Sequence, residues 1–437
     1  MSDPSPPVFD DRALRRKIAW RIVPLIFILY IISYLDRANV GFAALRMQDK
    51  LHFTPDVFGD GVGIFFIGYL LLEIPGALIV ERWSARKWFA RILVTWGICS
   101  MGMALVETPT QFYVARFLLG LAEAGFFPGV IVYLSHWFSR EDRGRALAGL
   151  VLGVPFSLAL GARVSGWLLE VDWFGLDGWQ WVFIVEGLPA VLMGIAVPFL
   201  LTDRPRDAKW LTPAEREWLE RKLEAERSEA TITGGATLGQ AMRQKTVWLL
   251  ALGIFATNLG GYAFVFWLPT AIKGLLTEMR GGVSNSDVMN WLSIVYFCGF
   301  IGVWLSGWSS DRKSERKWHC VAGQVSTGVF LALSLLPGQP WGLVFFWLCL
   351  TGFFAFSWPP PFWALPTQLL SASAAAVSIG FINMCANISG SLGSPIVGRM
   401  KVAGYDDRDC LLFLACCYIT GGAIIAMLRL PKASRTA

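Results

Sequence analysis

Near the start of the chain, Tyr34-Leu35-Asp36-Arg37-Ala38-Asn39 sets an acid beside a base at the far end of an apolar run from Ile18 to Leu35. That run is membrane-like, and a charge at bilayer depth costs upward of about 2.5 kcal/mol. Two adjacent charges there require partners, a water-filled cavity or both; the plainer reading is a helix-end pair that snorkels to the interface. A second charged pair, Arg116 and Glu123, lies seven residues apart in another apolar run. Seven residues are close to two helical turns, so both side chains share one face. Lipid would tolerate neither, so that face is expected to meet the helix of Asp36 and Arg37. Depth favours Asp36–Arg116 as the pair. Arg37 reaches Glu123 only if the first helix sits a turn deeper, and a purely structural network is the alternative. Guanidinium groups take carboxylates through charge-assisted, bidentate bonds. The acids alone can exchange protons, because Arg stays charged in proteins and no His falls in this cluster.

Further polar residues interrupt apolar runs at helical spacing. Asn383 and Asn387 are four apart and share a face, which is expected to meet a cavity or to hydrogen-bond another helix. Asn258 and Tyr262 repeat the arrangement. Trp358 and Trp363 flank Pro359-Pro360-Pro361 and serve either to stack on a ring or to anchor the membrane interface. Arg163 lies near one end of its run, where it snorkels or adds a third cation for a diacid.

These residues need long helices to hold them, and the composition supplies them. The 437 residues are 55% hydrophobic and 16% charged, against about 25% charged in soluble domains. Only a polytopic, all-α integral membrane protein fits. Apolar segments long enough to span a bilayer fall at 18–44, 58–80, 88–106, 110–138, 144–169, 181–201, 247–272, 287–310, 318–336, 341–363, 371–399 and 410–430. The first is too long for a signal peptide and lacks a cleavage site, so it stays as a helix. One long polar segment divides the chain into a first six-helix bundle (1–202), a linker (203–246) and a second bundle (247–437). In the linker, Thr212-Pro213-Ala214-Glu215 spells a capping box. The helix that follows carries Leu211, Trp218, Leu219 and Leu223 along one side and is expected to lie on the membrane surface. Gly234-Gly235 then loosens the chain.

Lys and Arg concentrate about four to one in the segments on the side of the termini. Both termini are therefore expected in the cytoplasm, in the inner membrane of a cell, so the basic residues report orientation rather than nucleic-acid binding. The eight Cys and three His show no metal-type spacing, and neither metal nor cofactor is expected. A membrane enzyme would need a nucleophile or metal constellation, and a receptor would need a signalling domain; neither is recognisable.

The two halves echo each other. Glu81-Arg82-Trp83-Ser84-Ala85-Arg86-Lys87 follows the second span, and Asp311-Arg312-Lys313-Ser314-Glu315-Arg316-Lys317 follows the eighth. Each reads acid, Arg, any, Ser, any, Arg, Lys. An acid at a helix terminus can pair with loop arginines and latch one conformation, so Glu81, Arg82, Arg86, Asp311, Arg312 and Arg316 are gating candidates. Gly307 and Asp311 make the second copy resemble the major facilitator superfamily signature; the first departs from it with Ala77 and Glu81. Tyr34 to Asn39, Arg116 to Gly129, Trp137 to Arg140, Arg143 to Ala146 and Trp179 to Pro189 resemble the anion:cation symporters of that superfamily. The first half and Arg204 to Pro213 resemble bacterial tartrate and aromatic-acid transporters in particular.

The resemblance implies twelve helices in two six-helix halves that work as a monomer by alternating access. It implies proton coupling at Asp36 and Glu123, with Arg37 and Arg116 engaging a substrate carboxylate. It also implies that Tyr69, Asn383 and Asn387 line the site. The expected partners are a small organic carboxylate, a proton and membrane lipid. A hydroxy-dicarboxylate such as tartrate is favoured over an aromatic or sugar-acid monocarboxylate. The Gly-Pro and paired Gly of drug antiporters are absent from the fifth helix.

Overall fold

Uninterrupted apolar segments of this length can satisfy their backbone polar groups in lipid only by coiling into helices. The computed structural model describes residues 11–232, 238–370 and 372–429; the Gly234-Gly235 stretch lies outside them. Seventeen α-helices follow in order: α1 (Asp11–Leu51), α2 (Pro55–Arg82), α3 (Ala85–Gly102), α4 (Pro109–Glu123), α5 (Phe126–Ser135), α6 (Arg140–Val151), α7 (Gly153–Leu168), α8 (Gly178–Leu200), α9 (Pro213–Ile232), α10 (Leu238–Met242), α11 (Lys245–Arg280), α12 (Asn285–Lys313), α13 (Lys317–Ser334), α14 (Trp341–Ser357), α15 (Pro359–Leu369), α16 (Ala372–Val402) and α17 (Asp407–Ala426). Three pairs are single spans with a break: α4–α5, α6–α7 and α14–α15. Among the described residues ten spans are long and apolar enough to cross a membrane. The other two expected crossings are α13, which carries Lys317, His319 and Gln324, and α16, rich in Ala, Ser and Gly and carrying both asparagines.

Three features differ from the sequence expectation. The helix α1 runs past the expected end near residue 44 to Leu51, which sets Asp36 roughly 22 Å from that end at 1.5 Å per residue. The fourth span breaks directly after Glu123, where Gly125 takes φ 84°. A Cβ there would also come within 2.8 Å of the Gly76 Cα, so both the left-handed backbone and the approach of α2 require glycine. The break at Trp358 falls within the tenth span, because α15 continues to Leu369.

The linker helix α9 has the expected capping box, with the Glu215 N–H donating to Thr212 Oγ1 at 3.3 Å and the Thr212 N–H to Glu215 Oε2 at 2.7 Å. Its apolar stripe packs on protein rather than lying on lipid. Leu211, Leu219 and Leu223 are buried, and Trp218, Leu219 and Leu223 share a cleft with Ile18, Trp137 and Phe138. A Lys17–Glu215 pair at 2.9 Å ties the helix to α1.

Contacts between the halves are dense at the end opposite the chain termini. Arg399 pairs with Asp60 at 3.0 Å, Lys273 donates to the Leu45 carbonyl at 3.0 Å, and the Ser286 N–H donates to Glu170 at 3.1 Å. Arg163 donates to Asn290 across the same seam. Backbone meets backbone here: a Cβ at Gly63 would lie 2.7 Å from the Ser391 carbonyl oxygen. Gly63→Val is therefore expected to wedge α2 from α16 and shift the protein toward the state open at this end. Disulfide cross-linking of Asp60→Cys to Arg399→Cys reports it: efficient in the parent, lost in the Gly63→Val background. Equal cross-linking in both contradicts the wedge.

Candidate functional site

The four expected charges meet inside the first bundle, but not in the favoured pairing. Arg37 forms an ion pair with Glu123 through Nη2 and Oε1, and Ser33 Oγ donates to the same oxygen at 3.2 Å. No ion pair joins Asp36 to Arg116. The reason is the continuous α1, whose deeper register brings Arg37 to the level of Glu123. Asp36 turns to α3 instead: its Oδ1 accepts from Ser100 Oγ and, at 2.9 Å, from Asn39 Nδ2. Glu123 is the last residue of α4, near the negative end of that helix dipole, and the Arg37 guanidinium is the positive group set against it.

Arg116 is wholly buried. Its Nε donates to the Gly61 carbonyl at 3.2 Å, while Nη1 and Nη2 have no hydrogen-bond partner among the described residues. Asp36 Oδ2, Glu123 Oε2 and Arg37 Nε are likewise buried and unpartnered. Phe65 lies under both guanidinium groups, 4.7 Å from that of Arg116 and 5.6 Å from that of Arg37. Tyr34 and Tyr69 each hold the Arg37 guanidinium at 5.2 Å from their ring centroids. Such ring faces attract a cation and exclude water from it. The result is a buried, charged cluster with spare donors and acceptors.

On the second half, Asn383 and Asn387 do share a face, and it meets α2. Both amides donate to Glu73: Asn383 at 2.6 Å, and Asn387 at 3.3 and 3.1 Å to the two carboxylate oxygens. Tyr262 donates to Asn387 Oδ1 at 3.5 Å and packs on Phe66, ring centroids 4.6 Å apart. Asn258, one turn earlier, is half-buried and forms no hydrogen bond among the described residues. Trp358 is buried against α13 beside Gly323 and meets Phe362 edge-on, and Trp363 packs on the same Phe362. Both tryptophans pack on these neighbours, apart from the charged cluster. Arg163 is exposed and engaged in the far-end seam, away from the chamber.

The loop candidates divide. In the second copy Arg316 pairs with Asp311 at 2.5 Å, an acid–arginine pair of the kind expected, and Arg312 lies over Trp308 at 5.4 Å. The first copy uses partners from elsewhere: Glu81 meets His136 at 3.1 Å, and Arg86 meets Asp203 at 3.2 Å. The Arg82 side chain lies outside the described ones.

Sequence reasoning missed two buried acids. Glu73 lies four residues after Tyr69 on α2, the same one-turn spacing that singled out the asparagines. Glu186, in α8, is buried and accepts from Ser165 Oγ; its place in an apolar run was the available signal.

A model of the Major Facilitator Superfamily matches residues 26–394. The chain belongs to that superfamily. This major facilitator protein is 41% identical over 387 residues to an Agrobacterium vitis protein named as a tartrate transporter, covering 88% of this chain and 84% of the relative. It is 37% identical over 392 residues to a quinolone resistance transporter of Acinetobacter baumannii, covering 90% and 89%. Its fold matches the xylose transporter XylE from E. coli with a TM-score of 0.73 at 14% identity, over 95% of this chain and 99% of the other. The superfamily chain is thus a multi-pass membrane transporter of small organic substrates, built as twelve helices in two six-helix halves.

Proposed function

We propose that the protein is a proton-coupled symporter that imports a small organic anion by alternating access, with a hydroxy-dicarboxylate such as tartrate favoured. The observation that carries this reading is the pair of buried guanidinium groups on one ring, Arg37 and Arg116, with unpartnered nitrogens beside two carboxyl groups. Spare N–H donors of fixed geometry in a buried cluster suit a carboxylate. The A. vitis relative's name points the same way.

In this reading Glu123 and Asp36 carry the proton, and Arg37 and Arg116 take the carboxylate. Tyr69, Tyr262, Asn258, Asn383 and Asn387 complete the cavity, and the Glu81–Arg86 and Asp311–Arg316 loops latch the terminus-bearing end. The halves are 1–202 and 247–437, joined by 203–246. Charge bias supports cytoplasmic termini, and in this reading the protein works as a monomer in the inner membrane. A second reading, an aromatic or sugar-acid monocarboxylate, is favoured by the rings of Tyr34, Phe65 and Tyr69 around one guanidinium. The engagement of Arg163 with Asn290 also removes the third cation a diacid was expected to use.

Counterflow in proteoliposomes with tartrate, gluconate and benzoate separates these readings. Tartrate exchange is expected to be strongest. Robust benzoate exchange that tartrate does not inhibit reverses the order, and no exchange with any carboxylate contradicts the anion reading.

A further inference from the structure

Glu73 projects from the first half into the second. It is 9% exposed, and no Lys, Arg or His forms an ion pair with it among the described residues. A buried carboxylate without a cation is costly unless hydrogen bonds compensate it. Here the hydrogen-bond compensation is the set of amide donors from Asn383 and Asn387, with the Arg37 charge acting on the carboxylate from a distance. The same carboxylate lies one turn from Tyr69, whose ring holds the Arg37 guanidinium, so it borders the charged chamber.

Depth gives this contact its meaning. The other hydrogen bonds between the halves, through Asp60, Leu45, Glu170, Ala159 and Arg163, gather toward the end opposite the termini. Glu73 lies thirteen residues beyond Asp60 along α2, about 20 Å deeper. Among the described residues it is the hydrogen-bonded link closest to the terminus-bearing end. Opening at that end must break it.

We propose that Glu73 is the protein's own occupant of the Asn383 and Asn387 amides, a strut between the halves that an incoming substrate carboxylate displaces. This rests on the organic-anion reading above. A substrate carboxylate offers those amides the same acceptor oxygens. Two carboxylates side by side repel, so the substrate exchanges with Glu73 rather than binding beside it. Occupancy of the cavity and release of the halves thereby become one event. The empty protein resists binding in proportion to how rarely the strut is open, since apparent affinity falls with the fraction of competent molecules.

The test compares wild type with Glu73→Gln, Glu73→Ala and Asn383→Ala. Equilibrium binding of labelled tartrate, gluconate and benzoate is measured on protein that remains monodisperse. Both Glu73 variants are expected to bind the accepted carboxylate about tenfold more tightly, with KM falling and kcat not rising. Asn383→Ala is expected to bind more weakly, because it removes a donor instead of its competitor. A packing role for Glu73 predicts weaker binding in all three. Equal or weaker binding by both Glu73 variants overturns the displacement. Hydrogen exchange on ligand-free protein tests the strut without any substrate: segments 66–82 and 376–390 are expected to exchange faster in the Glu73 variants, and unchanged exchange overturns it. Absence of carboxylate binding by wild type would instead contradict the anion reading.

Discussion

Glu123→Gln is expected to abolish accumulation driven by a pH gradient while preserving exchange of substrate across the membrane. In the structure Glu123 is held by Arg37 and Ser33, with one oxygen unpartnered. When a substrate carboxylate takes Arg37, Glu123, which is 1% exposed, loses its cation. It must then bind a proton or stand as an uncompensated buried charge, which is far more costly. On the proposed symport reading substrate and proton enter together, and the proton offsets one of the negative charges the substrate brings. Gln mimics the protonated acid at all times, so the substrate still binds and exchanges but no proton accompanies it. A one-proton symporter can concentrate its substrate about tenfold per unit of pH gradient, and the variant should fall to no concentration at all. Asp36→Asn should show a related, milder loss, because Asp36 is held by Ser100 and Asn39 instead of a cation. Accumulation by both variants at the wild-type level would place coupling elsewhere.

Arg37→Lys and Arg116→Lys are each expected to reduce transport by about tenfold or more, although both keep the charge. The loss of a charge-assisted hydrogen bond is worth roughly 1.5–3 kcal/mol, and about 1.4 kcal/mol is a factor of ten. Lys offers a point charge in place of a planar fork. It cannot hold Gly61 and face the chamber together, as the Arg116 geometry allows. At position 37 it could still pair with Glu123, so folding should survive while recognition suffers. Initial uptake rates over a range of substrate concentrations check this, and wild-type kinetics in both Lys variants would contradict the assigned role.

Much of this architecture was legible because lipid leaves few alternatives. Long apolar runs must be helices, and charges within them must face inward, so Asp36, Arg37, Arg116 and Glu123 could be assigned to one interior before any coordinates. Their pairing was not legible. It depended on the depth of α1, which an apolar run does not fix to within a turn, and the helix extends beyond the expected 18–44 to Asp11 at one end and Leu51 at the other. The break after Glu123 was hidden as well, because an Ala-Gly step inside an apolar run is compatible with a continuous helix; only the approach of Gly76 makes the turn at Gly125 necessary. The destination of the linker stripe was equally open, since the same leucines could face lipid or the first bundle. Glu73 was readable in principle, and its donors Asn383 and Asn387 were found, but its partner lay more than 300 residues away in sequence.

Substrate-driven proton movement into proteoliposomes tests the central claim most directly. Wild-type protein is reconstituted with a pH-sensitive dye inside, without sodium and without an imposed gradient, and tartrate is added outside. The account predicts prompt internal acidification that Glu123→Gln eliminates while its tartrate counterflow continues. Tartrate entry by wild type with no change in internal pH, or entry that requires sodium, would contradict it.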